Sequence, residues 1–235
     1  MSNVAQRIRN ELRENADEKT RNSFQRFFKD KVKCYGVKTG TVGKIAKKYW
    51  NEIKGKNKKE IFELCEELLG SDYTEEVFIV SFWGMNFKDF VRPGDLAVYE
   101  KWIKEYVNNW AKCDGFCNHT VGDLIAKCPI LVDELKKWAK SDNRWLKRAS
   151  AVTLIVPAKK GEFLKEAFEI SDALLVHSDD MIQKGYGWLL KEESRKHQKE
   201  VFNYVMENRH RMPRTALRYA IELMPQKLRK KAMEK

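Results

Sequence analysis

No stretch of this 235-residue chain approaches the apolar length that a membrane-spanning helix needs. The opening, MSNVAQRIRNELREN, has no apolar run resembling a secretory leader. Cysteine is sparse and odd in number, five at irregular spacing, so a disulfide framework is not expected. These absences together lead to the expectation of a reduced, cytoplasmic chain without a membrane partner. Strand signals are lacking as well, because no segment shows a convincing period-2 alternation. There is no phosphate-binding glycine loop and no GxSxG, which excludes two common nucleotide-binding and hydrolase signatures. No long linker interrupts the sequence, so one continuous domain over 1–235 is expected.

What is present is amphipathic helix almost throughout. NVAQRIRNELREN, TVGKIAKKYWNEI, KKEIFELCEELLG, PGDLAVYEKWIKEYV, ILVDELKKWAKS, EFLKEAFEISDALLV and KEVFNYVMENRH all repeat apolar residues at helical spacing. LIVP at 154–157 is apolar and β-branched but continues the helical pattern of NRWLKRASAVTLIV. Breaks are short, at Pro93-Gly94, at Ser141-Asp142-Asn143, and at Pro213 and Pro225, and Ser178-Asp179-Asp180 has the composition of a helix N-cap. Seven Trp and twelve Phe within 43% hydrophobic content exclude a disordered chain.

Acidic residues are outnumbered, 34 against 46 Lys and Arg, leaving a formal net charge of +12. Such an excess favours a polyanionic partner. The charge lies in blocks. Lys38 to Lys59 holds eight lysines and one acidic residue, Glu52; Glu60 to Glu76 holds seven acidic residues and no basic one. Arg209 to Lys235 holds nine Lys or Arg against Glu222 and Glu234. The chain is therefore expected to carry basic faces rather than a uniform coat.

A weak internal repeat runs through the second half. SDNRWLKRASAV starts at Ser141, SDDMIQKGYGWL at Ser178 and RMPRTALRYAI at Arg211. The later two place aromatic–small pairs at one level, Tyr186-Gly187 and Tyr219-Ala220. Helix pairs at such periods predict an all-α fold, an α-solenoid of HEAT or armadillo type, with an irregular helical bundle as the alternative. A solenoid's concave face suits a long partner such as a duplex.

Several places could carry chemistry. In NWAKCDGFCNH, Cys113, Cys117, His119 and the later Cys128 invite a zinc reading. Cys113 and Cys117 share a helix face, but His119 projects elsewhere and no second CxxC or HxxxH lies near, so core packing is the expectation and no metal is assigned. Trp110 and Asp114 are one turn apart. A carboxylate beside an indole can serve as base, anionic stabiliser or water anchor; spacing alone favours a solvated Asp beside a core Trp. Arg144, Lys147 and Arg148 lie on one side of a helix, with Lys140 a turn earlier, either gripping phosphates or covering apolar surface with their stems. Trp188 sits between Lys184 and Lys191 on a helix weakened by Gly185 and Gly187, by up to about 1 kcal/mol each. Close approach of a helix or a ligand backbone is the return. His177, His197 and His210 read as isolated surface or capping residues.

NWAKCDGFC, SDNRWLKRASAV and QKGYGWLLKE, in this order and spacing, resemble the AlkD-like DNA alkylation repair glycosylases, and FQRFFKDKVKCYGVKTG is similar to that family's opening motif. The resemblance spans roughly residues 20 to 225. It implies a superhelix of HEAT-like repeats whose basic concave face holds duplex DNA. It implies monofunctional hydrolysis of the N-glycosidic bond of cationic N3- or N7-alkylated purines, within base excision repair and without a cofactor. By resemblance, Asp114 is the catalytic aspartate, Trp110 and Trp188 face the sugar, Arg148 holds phosphate and Phe27 faces the DNA. Arg144, Lys147, Lys184 and Lys191 would add phosphate contacts, and a monomer is expected. The chain departs from some members in having Phe where a tyrosine is found, and Asn109 and Ala111 around Trp110. Two other classes remain: a non-catalytic HEAT-like module that binds damaged or unusual DNA, and a protein-binding helical scaffold.

Overall fold

Short polar side chains fix where many of the helices begin. The computed structural model describes residues 3–234, which are all-helical with no strand among them. The chain divides into two compact units, with the boundary between Phe116 and Cys117.

In the first unit α1 spans Val4–Glu14, α2 Glu18–Gln25 and α3 Thr39–Ile53. They are followed by α4 (Lys58–Leu69), α5 (Thr74–Gly84), α6 (Leu96–Tyr106) and α7 (Trp110–Phe116). Asn3 and Asp17 cap α1 and α2 by accepting backbone N–H bonds, and Asn57 forms a capping box with Glu60 at α4. Helices α3, α5 and α7 pack in succession, and α1, α4 and α6 flank them. Helix α5 is central: Val77, Ile79, Val80, Trp83 and even Glu75 and Glu76 are buried. A helix apolar on all sides belongs inside a core.

The two buried glutamates are satisfied by what they hold. Glu75 accepts backbone N–H bonds from Tyr35, Gly36 and Val37 at 3.0, 2.8 and 3.1 Å. Glu76 accepts from the Tyr35 hydroxyl at 2.7 Å and from Arg9 Nε at 3.1 Å. Gly36, at φ +90°, allows this segment to pass Asp17 and Arg21, where a Cβ would sit 2.6 Å from the Asp17 carbonyl. The loop after α2 is thereby pinned to the centre of the unit.

The second unit opens with a π-helical turn, Cys117–Val121, and α8, Gly122–Lys127. It continues with α9 (Val132–Ala139), α10 (Arg144–Val152), α11 (Ile155–Ala158), α12 (Leu164–Leu174) and α13 (Asp180–Glu193). The last are α14 (Gln198–Asn208), α15 (Arg214–Ala220) and α16 (Gln226–Met233). The cap expected at Ser178-Asp179-Asp180 forms, with Asp179 accepting from Met181, and Asn143 of the preceding break caps α10 by accepting from Trp145 and Leu146. Pro213 and Pro225 precede α15 and α16 directly. The three segments of the weak repeat fall on α10, α13 and α15, which pack one against the next, while α9 and α12 pack together behind them. Gly187 is where α13 meets α15; a Cβ there would lie 2.8 Å from the Ala216 carbonyl. Lys140 closes α9 and Arg144 opens α10, so Lys140 does not extend the α10 row as the spacing predicted.

Candidate functional site

Helix α7 starts at Trp110 because Asn109 caps it, its Oδ1 accepting from the Lys112 N–H at 3.0 Å. Trp110 and Asp114 then fall one turn apart, both half-buried. The indole is backed by Phe28, whose ring stacks on it at 5.2 Å with 18° between the planes. Phe28 is supported by Phe24 at 4.9 Å, and Phe24 by Phe78 of α5 in an edge contact at 6.5 Å. The helix is tied down from its opposite side. Lys112 is 1% exposed, and its Nζ donates to the Asp72 carbonyl and Asn108 Oδ1, both at 2.9 Å, as well as to the Asp72 carboxylate. Burial lowers the Lys112 pKa, and Asp72 opposes that shift. Asp72 itself sits at φ +64°, a backbone state uncommon for a residue with a Cβ.

Phe27, the aromatic expected to face DNA, is 68% exposed on the loop after α2. Its neighbour Phe28 makes the contact with Trp110. The period of α2 gives no reason to choose between them; in the structure Phe28 packs on Phe24 while Phe27 points to solvent.

The second unit carries the remaining candidates. Trp188 is half-buried on α13 and donates from Nε1 to Glu192 at 3.1 Å. Lys184 and Lys191 lie one turn to either side of it along the helix. The row Arg144, Lys147, Arg148 on α10 occupies three environments. Arg144 is exposed, stacked over Trp145 at 5.0 Å and paired with Asp179 at 2.6 Å. Lys147 is half-buried with its Nζ 3.4 Å from His177 Nε2. Arg148 is buried and donates to the Met181 carbonyl, its stem lying 3.5 Å from where a Gly185 Cβ would stand. A Cβ at Gly185 would only touch the Arg148 stem, whereas one at Gly187 would collide with the backbone of α15. Burial and the Lys147 charge lower the His177 pKa, with Asp179 acting the other way.

A family model described as DNA alkylation repair enzyme matches residues 8–224. The chain belongs to this family. Among solved structures, a predicted DNA alkylation repair enzyme from Enterococcus faecalis superposes with a TM-score of 0.81 at 13% identity, covering 90% of this chain and 98% of that one. At that identity the likeness is one of fold. No curated protein sequence matches the chain. Family membership makes DNA repair the coarse assignment and DNA the implied partner.

For a member of this family, several of the expected DNA contacts are already occupied by carboxylates. Arg144 is paired with Asp179, Lys184 with Asp180 at 3.1 Å and Lys191 with Glu222 at 2.9 Å. Pairs that solvent still reaches are weak, roughly 0–1 kcal/mol, so phosphates could exchange for them. Cys113 and Cys117 are fully buried, and no group of three or more His, Cys, Asp or Glu able to hold a metal occurs among the described residues. No helix among them is long and apolar enough to cross a membrane.

Proposed function

We propose that this protein is a monofunctional DNA glycosylase that hydrolyses the N-glycosidic bond of cationic N3- or N7-alkylated purines in duplex DNA. The observation that carries the reading is Asp114, half-buried one turn from an indole that Phe28 holds by its face. Family membership supplies the DNA context.

A purine carrying an alkyl cation leaves as a neutral base, since the electrons of the breaking C1′–N bond quench the ring charge. No strong general acid is required, so one carboxylate suffices where most glycosidases use two. Asp114 stabilises the oxocarbenium-like sugar and orients the attacking water, accepting its proton as the new C1′–O bond forms. Trp110 and Trp188 present indole faces that favour a cationic sugar. Arg148 holds phosphate, and Arg144, Lys147, Lys184, Lys191 and Phe27 add contacts to the duplex. The chain is read as a HEAT-like solenoid forming one continuous domain and acting as a monomer.

The test is release of 7-methylguanine or 3-methyladenine from methylated duplex DNA. Wild type is expected to release base, and Asp114→Asn to bind DNA and release none. Full release by Asp114→Asn would overturn the mechanism. Tight, salt-sensitive binding with no release from any alkylated substrate would identify a non-catalytic DNA-binding module instead.

A further inference from the structure

The family match ends at residue 224, and α16 begins two residues later at Gln226. This helix is strongly basic. Lys227, Arg229, Lys230 and Lys231 are all exposed, and none takes part in an ion pair among the described residues. That separates them from Arg144, Lys184 and Lys191, which carboxylates neutralise.

The helix is fastened by its carbonyl end. Arg209 Nη1 donates to the Lys231 carbonyl at 2.9 Å and to the Glu234 carbonyl at 3.3 Å, and Arg214 Nη1 reaches the Met233 carbonyl at 3.5 Å. Guanidinium groups at a helix C-terminus also complement its dipole. Helix α16 packs on α14, and a groove of about 570 Å³ separates it from α15. Arg218, Arg229 and Lys230 rim the groove with Gln226 and with Glu222, whose carboxylate is paired with Lys191, and Tyr219, Ile221 and Met233 provide apolar surface within it.

We propose that α16, just beyond the span that matches the family, forms with Arg218 of α15 a second phosphate-backbone contact for duplex DNA. The proposal rests on DNA being the partner but not on base release. A sugar–phosphate strand carries its charge at the edge and apolar sugar carbons between, which matches cationic rims over an apolar floor. An anionic membrane is the poorer match: every exposed position of α16 is polar or charged, whereas an interfacial helix needs an apolar face to bury.

The experiment measures binding of the full chain to undamaged duplex over a range of salt. Substituting Lys227, Arg229, Lys230 and Lys231 together by Gln is expected to reduce the slope of log K against log salt by about 2 to 4. A control, Lys159→Gln with Lys160→Gln at exposed positions elsewhere in the same unit, is expected to leave it within about 0.5. Arginine at Lys227, Lys230 and Lys231 is expected to preserve the slope and so exclude a folding artefact. An unchanged slope in the four-site variant overturns the proposal, as does an equal loss per charge in the control. Binding of wild type to phosphatidylserine vesicles, with no change of DNA slope in the variant, overturns it in favour of a membrane surface. If wild type binds duplex but releases no base, the glycosylase reading fails and this test remains decisive.

Discussion

Phe28 lies flat against Trp110, ring centroids 5.2 Å apart and planes 18° from parallel. The two residues are far apart in sequence, and Phe28 is supported by Phe24, which meets Phe78 of α5. The indole that neighbours Asp114 therefore owes its orientation to a residue of the N-terminal motif.

Phe28→Ala is expected to lower stability by about 1–2 kcal/mol, through the lost ring pair and partial burial. Phe27→Ala, at a 68% exposed position, is expected to change stability by less than about 0.5 kcal/mol. Urea unfolding of both variants checks this. Equal losses would show that Phe28 does not brace the indole.

Lys112→Met removes a buried ammonium that bonds the Asp72 carbonyl, its carboxylate and Asn108. A cost of about 2–3 kcal/mol is expected, because the carbonyl and carboxylate lose their donor. Hydrogen exchange at the start of α7 should rise together with it. A variant as stable as wild type would show that this tie does not hold the helix.

The two glycines of α13 are expected to respond with opposite sign. Gly187→Ala puts a Cβ 2.8 Å from backbone on α15 and should cost about 1–3 kcal/mol by overpacking. Gly185→Ala meets the Arg148 stem at 3.5 Å, an ordinary contact, and should gain up to about 1 kcal/mol of helix propensity. Thermal unfolding of the pair decides the matter, and equal shifts would contradict the packing.

Glu193 is buried on α13, and neither carboxylate oxygen has a hydrogen-bonding partner among the described residues. Burial first, and Glu166 second, push its pKa up to about 8. The folded state thus holds the proton more tightly than the unfolded chain. The stability from the neutral acid is complete below the ordinary glutamate pKa of 4.5 and is lost as pH rises to about 8. Glu193→Gln should therefore gain on wild type between pH 5 and pH 8, by roughly a few kcal/mol. Parallel stability curves for the two proteins over that range would refute the shift.

Local rules carried much of the way. Apolar spacing gave the helices, and short polar residues gave the cap at Asp179, because both effects act within a turn or two of chain. The i, i+4 relation of Trp110 and Asp114 needs nothing beyond an α-helix. The weak repeat marked the helices that pack in succession, α10, α13 and α15. Other features depend on partners distant in sequence. Phe28 rather than Phe27 meets the indole, and it packs on Phe24, which in turn meets Phe78 of α5. The lysine of NWAKCD is buried because Asp72, forty residues earlier, turns its carbonyl and carboxylate toward it. The row on α10 divides into exposed, half-buried and buried cations because α13 and the loop before it supply Asp179, His177 and the Met181 carbonyl. Periodicity decides which residues share a helix face. Which of them meet a carboxylate, a ring or solvent is decided by what packs against that face.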